Sequence, residues 1–127
     1  TSGWVHQDHP NVLTAVVYLD PNPELNSGTS IYKLKKEFIL PDLEYNKIKE
    51  EFYEGKCSLD KQEEFLNLNN QYFEETITVK NVYNRLIMFD SSCWHAAHSF
   101  NTAMERLTLV SFFSRIPVVT PQVRLKV

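Results

Sequence analysis

A chain of 127 residues, 43% hydrophobic and 13% aromatic, can bury one core and is too short for two ordinary domains. Charged residues make up 23% of it and the formal net charge is −3, so it has neither the basic excess that favours phosphate backbones nor a long acidic tail. No apolar run approaches the ~20 residues that span a bilayer, and Cys57 and Cys93 lie far apart with no Cys-x-x-Cys spacing, which argues against a disulfide scaffold, a zinc ribbon or a redox dithiol. A soluble protein of a reducing, cytoplasmic compartment is the expectation.

The start, Thr1-Ser2-Gly3-Trp4, has no basic segment followed by an apolar one. Trp4-Val5-His6 already has strand character, an opening abrupt enough to suggest a truncated chain. Residues 12–19 (VLTAVVYL) are rich in β-branched and aromatic residues, and Asp20-Pro21-Asn22-Pro23 stops them with restricted φ and side-chain caps. That reads as a buried strand and its loop. Gly28 precedes Thr29-Ser30-Ile31-Tyr32-Lys33-Leu34, a second and less buried strand closed by Pro41.

Over 42–75 the pattern changes. Leu43, Ile48, Phe52, Phe65, Leu66, Tyr72 and Phe73 recur at roughly helical spacing among Glu, Lys, Asn and Gln, which predicts two helices divided at Gly55, the second starting near a capping Ser58. Strand signal returns in TITVKNV, RLIMFD, CWHAA and RLTLVSFF. The tail from Arg115 to Val127, with Pro117 and Pro121 among Val residues, reads as extended, as in an edge strand. Strands, then helices, then strands imply one mainly β domain with a helical insertion.

His6-Gln7-Asp8 carries the first chemistry. In an extended strand, residues two apart point to the same side, so one imidazole and one carboxylate can reach one ion. A second imidazole would complete a two-His-one-carboxylate facial set with open positions for Fe(II). His95 and His98 both lie within reach of that role by spacing; strand parity through CWHAAHS separates them, and small Ala97 on the side of His95 favours His95. His9 falls on the other side from Asp8 and reads as a surface residue, and Cys93 as a small buried one. Arg106, eleven residues beyond His95, heads a strand face shared with Thr108, Val110 and Phe112. A guanidinium on an apolar face needs an anion, and its fork suits a carboxylate; pairing with Glu105 or Asp90 is the bland alternative. Tyr32, Phe38, Trp94 and Phe100 are strand aromatics, read as core rather than as cleft walls.

The order His6-x-Asp8, LTAVVYLD, Ser27-Gly28-Thr29-Ser30-Ile31-Tyr32, NRLIMFD, Trp94-His95 and RLTLVSFF resembles the prolyl-hydroxylase-like branch of the Fe(II)/2-oxoglutarate oxygenase superfamily, over most of the chain except 42–75. The resemblance implies a double-stranded β-helix, a jelly-roll or cupin-like barrel, as a single domain over 1–127 that lacks the strand and helices normally preceding His-x-Asp. It implies Fe(II) held by His6, Asp8 and His95, and 2-oxoglutarate held at its far carboxylate by Arg106 with Tyr18 and Thr108. The activity it implies is hydroxylation of a C–H bond, with ascorbate an optional reductant. Val16, Leu86, Met88 and Phe112 would form a dry apolar wall. The substrate class stays open between peptidyl proline, an amino acid and another small molecule, with no nucleic-acid or membrane signal. Two other classes compete. A cupin-like metal-binding protein without 2-oxoglutarate would have no use for an inward Arg106, and an interaction module would pair with a second copy through an open barrel edge.

Overall fold

The computed structural model describes residues 2–35, 47–48, 50–52, 54–100 and 105–117. Six strands form two three-stranded antiparallel sheets: β1 (Leu13–Tyr18), β2 (Thr29–Leu34), β3 (Phe73–Val79), β4 (Leu86–Asp90), β5 (Trp94–Ala97) and β6 (Thr108–Phe113). One sheet has the order β4-β1-β6 and the other β3-β2-β5. The chain is thus mainly β, with its strands drawn from the segments whose β-branched and aromatic content predicted them.

Alternation decides which way each strand faces. In β1, Thr14, Val16 and Tyr18 are buried, and the register sets Thr14 opposite Phe89 and Phe112, Val16 opposite Ile87 and Val110, and Tyr18 opposite Thr108. These residues share the inner face. The outer face of the same sheet carries Leu86, Met88, Leu109 and Phe113, all exposed. Leu86 and Met88 therefore do not belong to the inner wall expected of them; Val16 and Phe112 do, with Ile87 and Phe89 in place of the other two. LIMFD is apolar at four successive positions, so its sequence cannot choose a face, and the pairing with β1 makes the choice.

The second sheet divides the same way. Thr29↔Ala97 and Ile31↔His95 lie on one side; Ser30↔Ala96 and Tyr32↔Trp94 lie on the other. That other side packs Val5, Phe73 and Ala96 with Tyr32, Tyr72 and Trp94, so Tyr32 and Trp94 are core residues as expected, while Phe38 lies outside the described residues. The Tyr18 hydroxyl donates to Thr29 Oγ1 at 2.8 Å and ties the two sheets together. Gly28 fits a place no side chain could share, because a Cβ there would run into the Val79 carbonyl and come within 2.8 Å of Asn81 N.

Helix is found within 42–75. Residues 47, 48 and 50–52 are helical, and Gly55, at φ 70°, ends that turn while Lys56 N donates to Glu51 O at 2.7 Å. The second helix, α1 (Leu59–Asn70), is capped by Ser58, which accepts from Lys61 N. It stops earlier than the helical spacing predicts: Phe73, 5% exposed, begins β3 and stacks on Trp94 at 4.7 Å. Tail residues 118–127, expected to be extended, lie outside the described residues. No helix among the described residues is long and apolar enough to cross a membrane.

Candidate metal centre

Residues 3–6 run beside β5. Gly3 N donates to Ala97 O at 2.8 Å, and His6 and His95 exchange both backbone bonds, 3.0 and 2.9 Å. An antiparallel pair of this kind sets its two side chains next to each other, and the imidazole centroids lie 4.4 Å apart. Asp8 N donates to Ser91 O at 2.9 Å, which turns the Asp8 carboxylate back toward both rings. Asp8 Oδ1 is 3.3 Å from His6 Nε2 and Oδ2 is 3.2 Å from His95 Nε2. Candidate ligand atoms of the three residues all lie within 4.8 Å of one another. Adjacent ligands of one ion, each bound at about 2.1 Å, stand about 3 Å apart, so this spacing suits a shared cation.

The hydrogen bonds around the cluster orient it. His6 Nδ1 contacts Trp4 O at 2.8 Å and His95 Nδ1 contacts Cys93 O at 2.9 Å. A carbonyl only accepts, so each Nδ1 carries a proton, and the neutral form of each ring turns an Nε2 lone pair toward Asp8. Burial, above all, holds the His95 pKa below its ordinary value, and the nearby His6 adds to this; the Cys93 carbonyl and the Asp8 charge oppose it. Two imine lone pairs facing a carboxylate repel one another unless a cation sits among them. Asp8 is fixed in turn by Thr14 Oγ1, which donates to Oδ2 at 2.7 Å and lies 2.8 Å from Ser91 Oγ. Thr14 is 1% exposed and Ser91 0%.

His98 points elsewhere. Its Nδ1 lies 2.9 Å from Ser30 Oγ and 2.8 Å from Glu75 Oε2, on the side of its sheet opposite His95. His9 is exposed. Both cysteines are free thiols.

Arg106 and the His6-Asp8-His95 group line one cavity of about 910 Å³. Arg106 Nε donates to Ser27 O at 2.6 Å, and its guanidinium carbon lies 5.8 Å from the centre of the Tyr18 ring. Burial lowers its pKa and Tyr18 opposes that shift; a guanidinium remains charged throughout. Among the described residues no carboxylate forms an ion pair with it, Asp90 being turned instead to Ser92. A half-buried cation facing a cavity without an anionic partner is costly until an anion enters. Neither Tyr18 nor Thr108 is among the described lining residues; Thr29, which accepts the Tyr18 hydroxyl, is.

Two residues of the site escape a reading of the sequence. At the end of α1, Asn70 Oδ1 accepts from Val5 N at 3.0 Å and its Nδ2 donates to Gly3 O at 2.9 Å, while Asn69 Nδ2 donates to Val5 O at 3.1 Å. With β5 on one side, the two amides satisfy the other side of residues 3–5 as a neighbouring strand would. They hold the segment that carries His6. Nothing in LNLNN marks them, since their partners are more than sixty residues away.

No curated protein and no solved structure matches the chain. Residues 4–113 match a family described as a family of unknown function (DUF6445), a span from Trp4 through the end of β6 that includes all three clustered residues and Arg106, and the chain belongs to that family.

Proposed function

We propose that this chain is an Fe(II)- and 2-oxoglutarate-dependent oxygenase that hydroxylates a C–H bond. The observation that carries the reading is the cavity itself, in which two imidazoles and a carboxylate at ligand spacing share one space with a guanidinium that lacks an anionic partner among the described residues. A metal site alone would leave Arg106 without a purpose; a dicarboxylate bridging the metal and Arg106 uses both. The winding supports a double-stranded β-helix, because successive strands pass between the two sheets in the order first, second, second, first, second, first.

His6, Asp8 and His95 would hold the iron, leaving open positions on the cavity side. The donor set fits Fe(II), being two neutral nitrogens and one oxygen anion with both Nδ1 protons already committed to backbone carbonyls. When bound, the iron and 2-oxoglutarate supply the oxygen chemistry, in which decarboxylation to succinate takes one oxygen atom and the substrate receives the other. The chain's residues orient these groups. Arg106 binds the far carboxylate, and Thr29, whose oxygen accepts from the Tyr18 hydroxyl, keeps its own O–H to donate to it. Thr14 and Ser91 keep the Asp8 carboxylate turned to the metal position. Val16, buried on the inner face of β1, gives that part of the cavity an apolar wall.

The test is an anaerobic titration of Fe(II) followed by 2-oxoglutarate, read as the weak visible charge-transfer band of the chelate. The wild-type chain develops the band. His95→Ala abolishes metal binding, whereas Arg106→Ala retains the metal and weakens 2-oxoglutarate at least tenfold. A wild-type chain that binds no divalent metal, or an Arg106→Ala variant with unchanged 2-oxoglutarate affinity, overturns the proposal.

A further inference from the structure

The cavity is larger than the co-substrate needs. The ten non-hydrogen atoms of 2-oxoglutarate, each allotted at most the ~30 Å³ of a liquid water, take up about 300 Å³, which leaves well over half of the 910 Å³. The rest has a distinct lining. Leu59 from the first turn of α1, Phe100 beyond β5, and Val110 and Phe112 on β6 come from three separate parts of the chain and meet at this cavity. Leu59 is 69% exposed and Phe112 54%, with Phe100 and Val110 nearly as open. Leu66, also in the lining, is buried beneath Leu59 on the same helical stripe. Large apolar side chains left open to water on the wall of a concave site mark where apolar surface is to be covered.

We infer that this part of the cavity binds the substrate, and that the substrate is a small molecule with a bulky apolar body of about 20 non-hydrogen atoms, not a free polar amino acid. This rests on the proposed oxygenase reading for its chemistry, though the binding itself does not require the metal. Covering Leu59, Phe100 and Phe112 supplies the affinity through burial of apolar area. The cleft is lined from three parts of the chain, and the shared space sets the occupant beside His6, Asp8 and His95. Asp60 and Gln62, also lining residues on α1, give the polar end of such a molecule a place to meet water and the chain.

Nile red, a neutral apolar dye of about the right size, serves as the probe, read by its fluorescence on titration with the full chain. Leu59→Asp and Phe100→Asp, both at exposed positions and each checked for an unchanged circular dichroism spectrum, weaken the dye at least tenfold. Phe113→Asp, on the outer face of the first sheet, leaves this binding as it is. Co(II) added to the wild-type chain quenches the bound dye, and the same addition to His95→Ala does not. Equal weakening by Phe113→Asp, or none by Leu59→Asp and Phe100→Asp, overturns the inference. Displacement of the dye by a linear apolar hexapeptide more effectively than by fused-ring hydrocarbons of equal solubility also overturns it, in favour of a peptide substrate. If dye binding follows the cavity variants but Co(II) causes no quenching, the pocket stands and the metal reading falls.

Discussion

Each imidazole of the cluster has one nitrogen committed to a carbonyl two residues earlier in its own strand, Trp4 for His6 and Cys93 for His95. The tautomer is therefore set by local backbone, and the ligating nitrogen is free by default. This has a consequence for pH. Because burial holds the folded pKa of His95 below the ordinary imidazole value of 6.5, the folded state takes up a proton less readily than the unfolded one. Stability from this residue is full above that ordinary value and is lost as pH falls below it toward the folded pKa. Thermal melts of the metal-free chain between pH 8 and pH 5 should show the midpoint falling in the acid half, and His95→Gln should remove part of that fall. The trio was legible in the sequence through the order of its motifs and the resemblance they carry, the two-residue spacing of His6 and Asp8 being weak evidence alone, and Asp8 itself lies outside any strand. The choice of His95 over His98 rests on strand parity, and the structure turns His98 to Ser30 and Glu75 on the far side. Thr14 was legible only as an inward β1 residue. Its bond to Asp8 depends on how the chain turns at Ser91, which no local pattern encodes.

At the level of elements, the helical insertion does more than interrupt the strands. Its last two residues bind the segment 3–5 by three amide contacts, and its first turn contributes Leu59 to the cavity. Asn70→Ala removes two of those contacts and leaves Val5 N and Gly3 O to be satisfied by water. Since partners that orient metal ligands are worth about 10–100-fold in affinity, Asn70→Ala should bind Co(II) about tenfold more weakly, measured by competition with a chromophoric chelator. The far-UV spectrum should not change. An unchanged affinity with a lowered melting point would assign Asn70 to the fold alone. The existence of α1 and its Ser58 cap could be read from periodicity, but its end could not. Tyr72 and Phe73 continue the helical spacing, yet Phe73 gains more by joining β3 and packing on Trp94 of the same sheet, and tertiary burial overrides a local pattern. The reverse holds for β4, whose apolar residues on both faces hide which side is inward, so the sequence points Leu86 and Met88 inward where the pairing with β1 turns Ile87 and Phe89. Phe100, expected in the core, instead lines the cavity at 45% exposure.

Across the molecule, the buried bond from Tyr18 to Thr29 links the two sheets. The outer face of β4-β1-β6 remains apolar and open, a larger candidate surface for association than the strand edges alone. The pairing of His6 with His95 joins residues 89 apart in the chain. An ion gripped by both would act as a removable staple closing a loop of about 90 residues, and a permanent link of that span restricts the unfolded chain by roughly 4–5 kcal/mol. A reversible one is limited by its occupancy, so at a hundredfold excess over Kd the folded state gains about 2.7 kcal/mol. Calorimetric melts with and without Co(II) should show the midpoint rising with metal concentration, and His95→Ala should abolish the rise. The supply of the bound ion would then govern how long each molecule survives in its folded form.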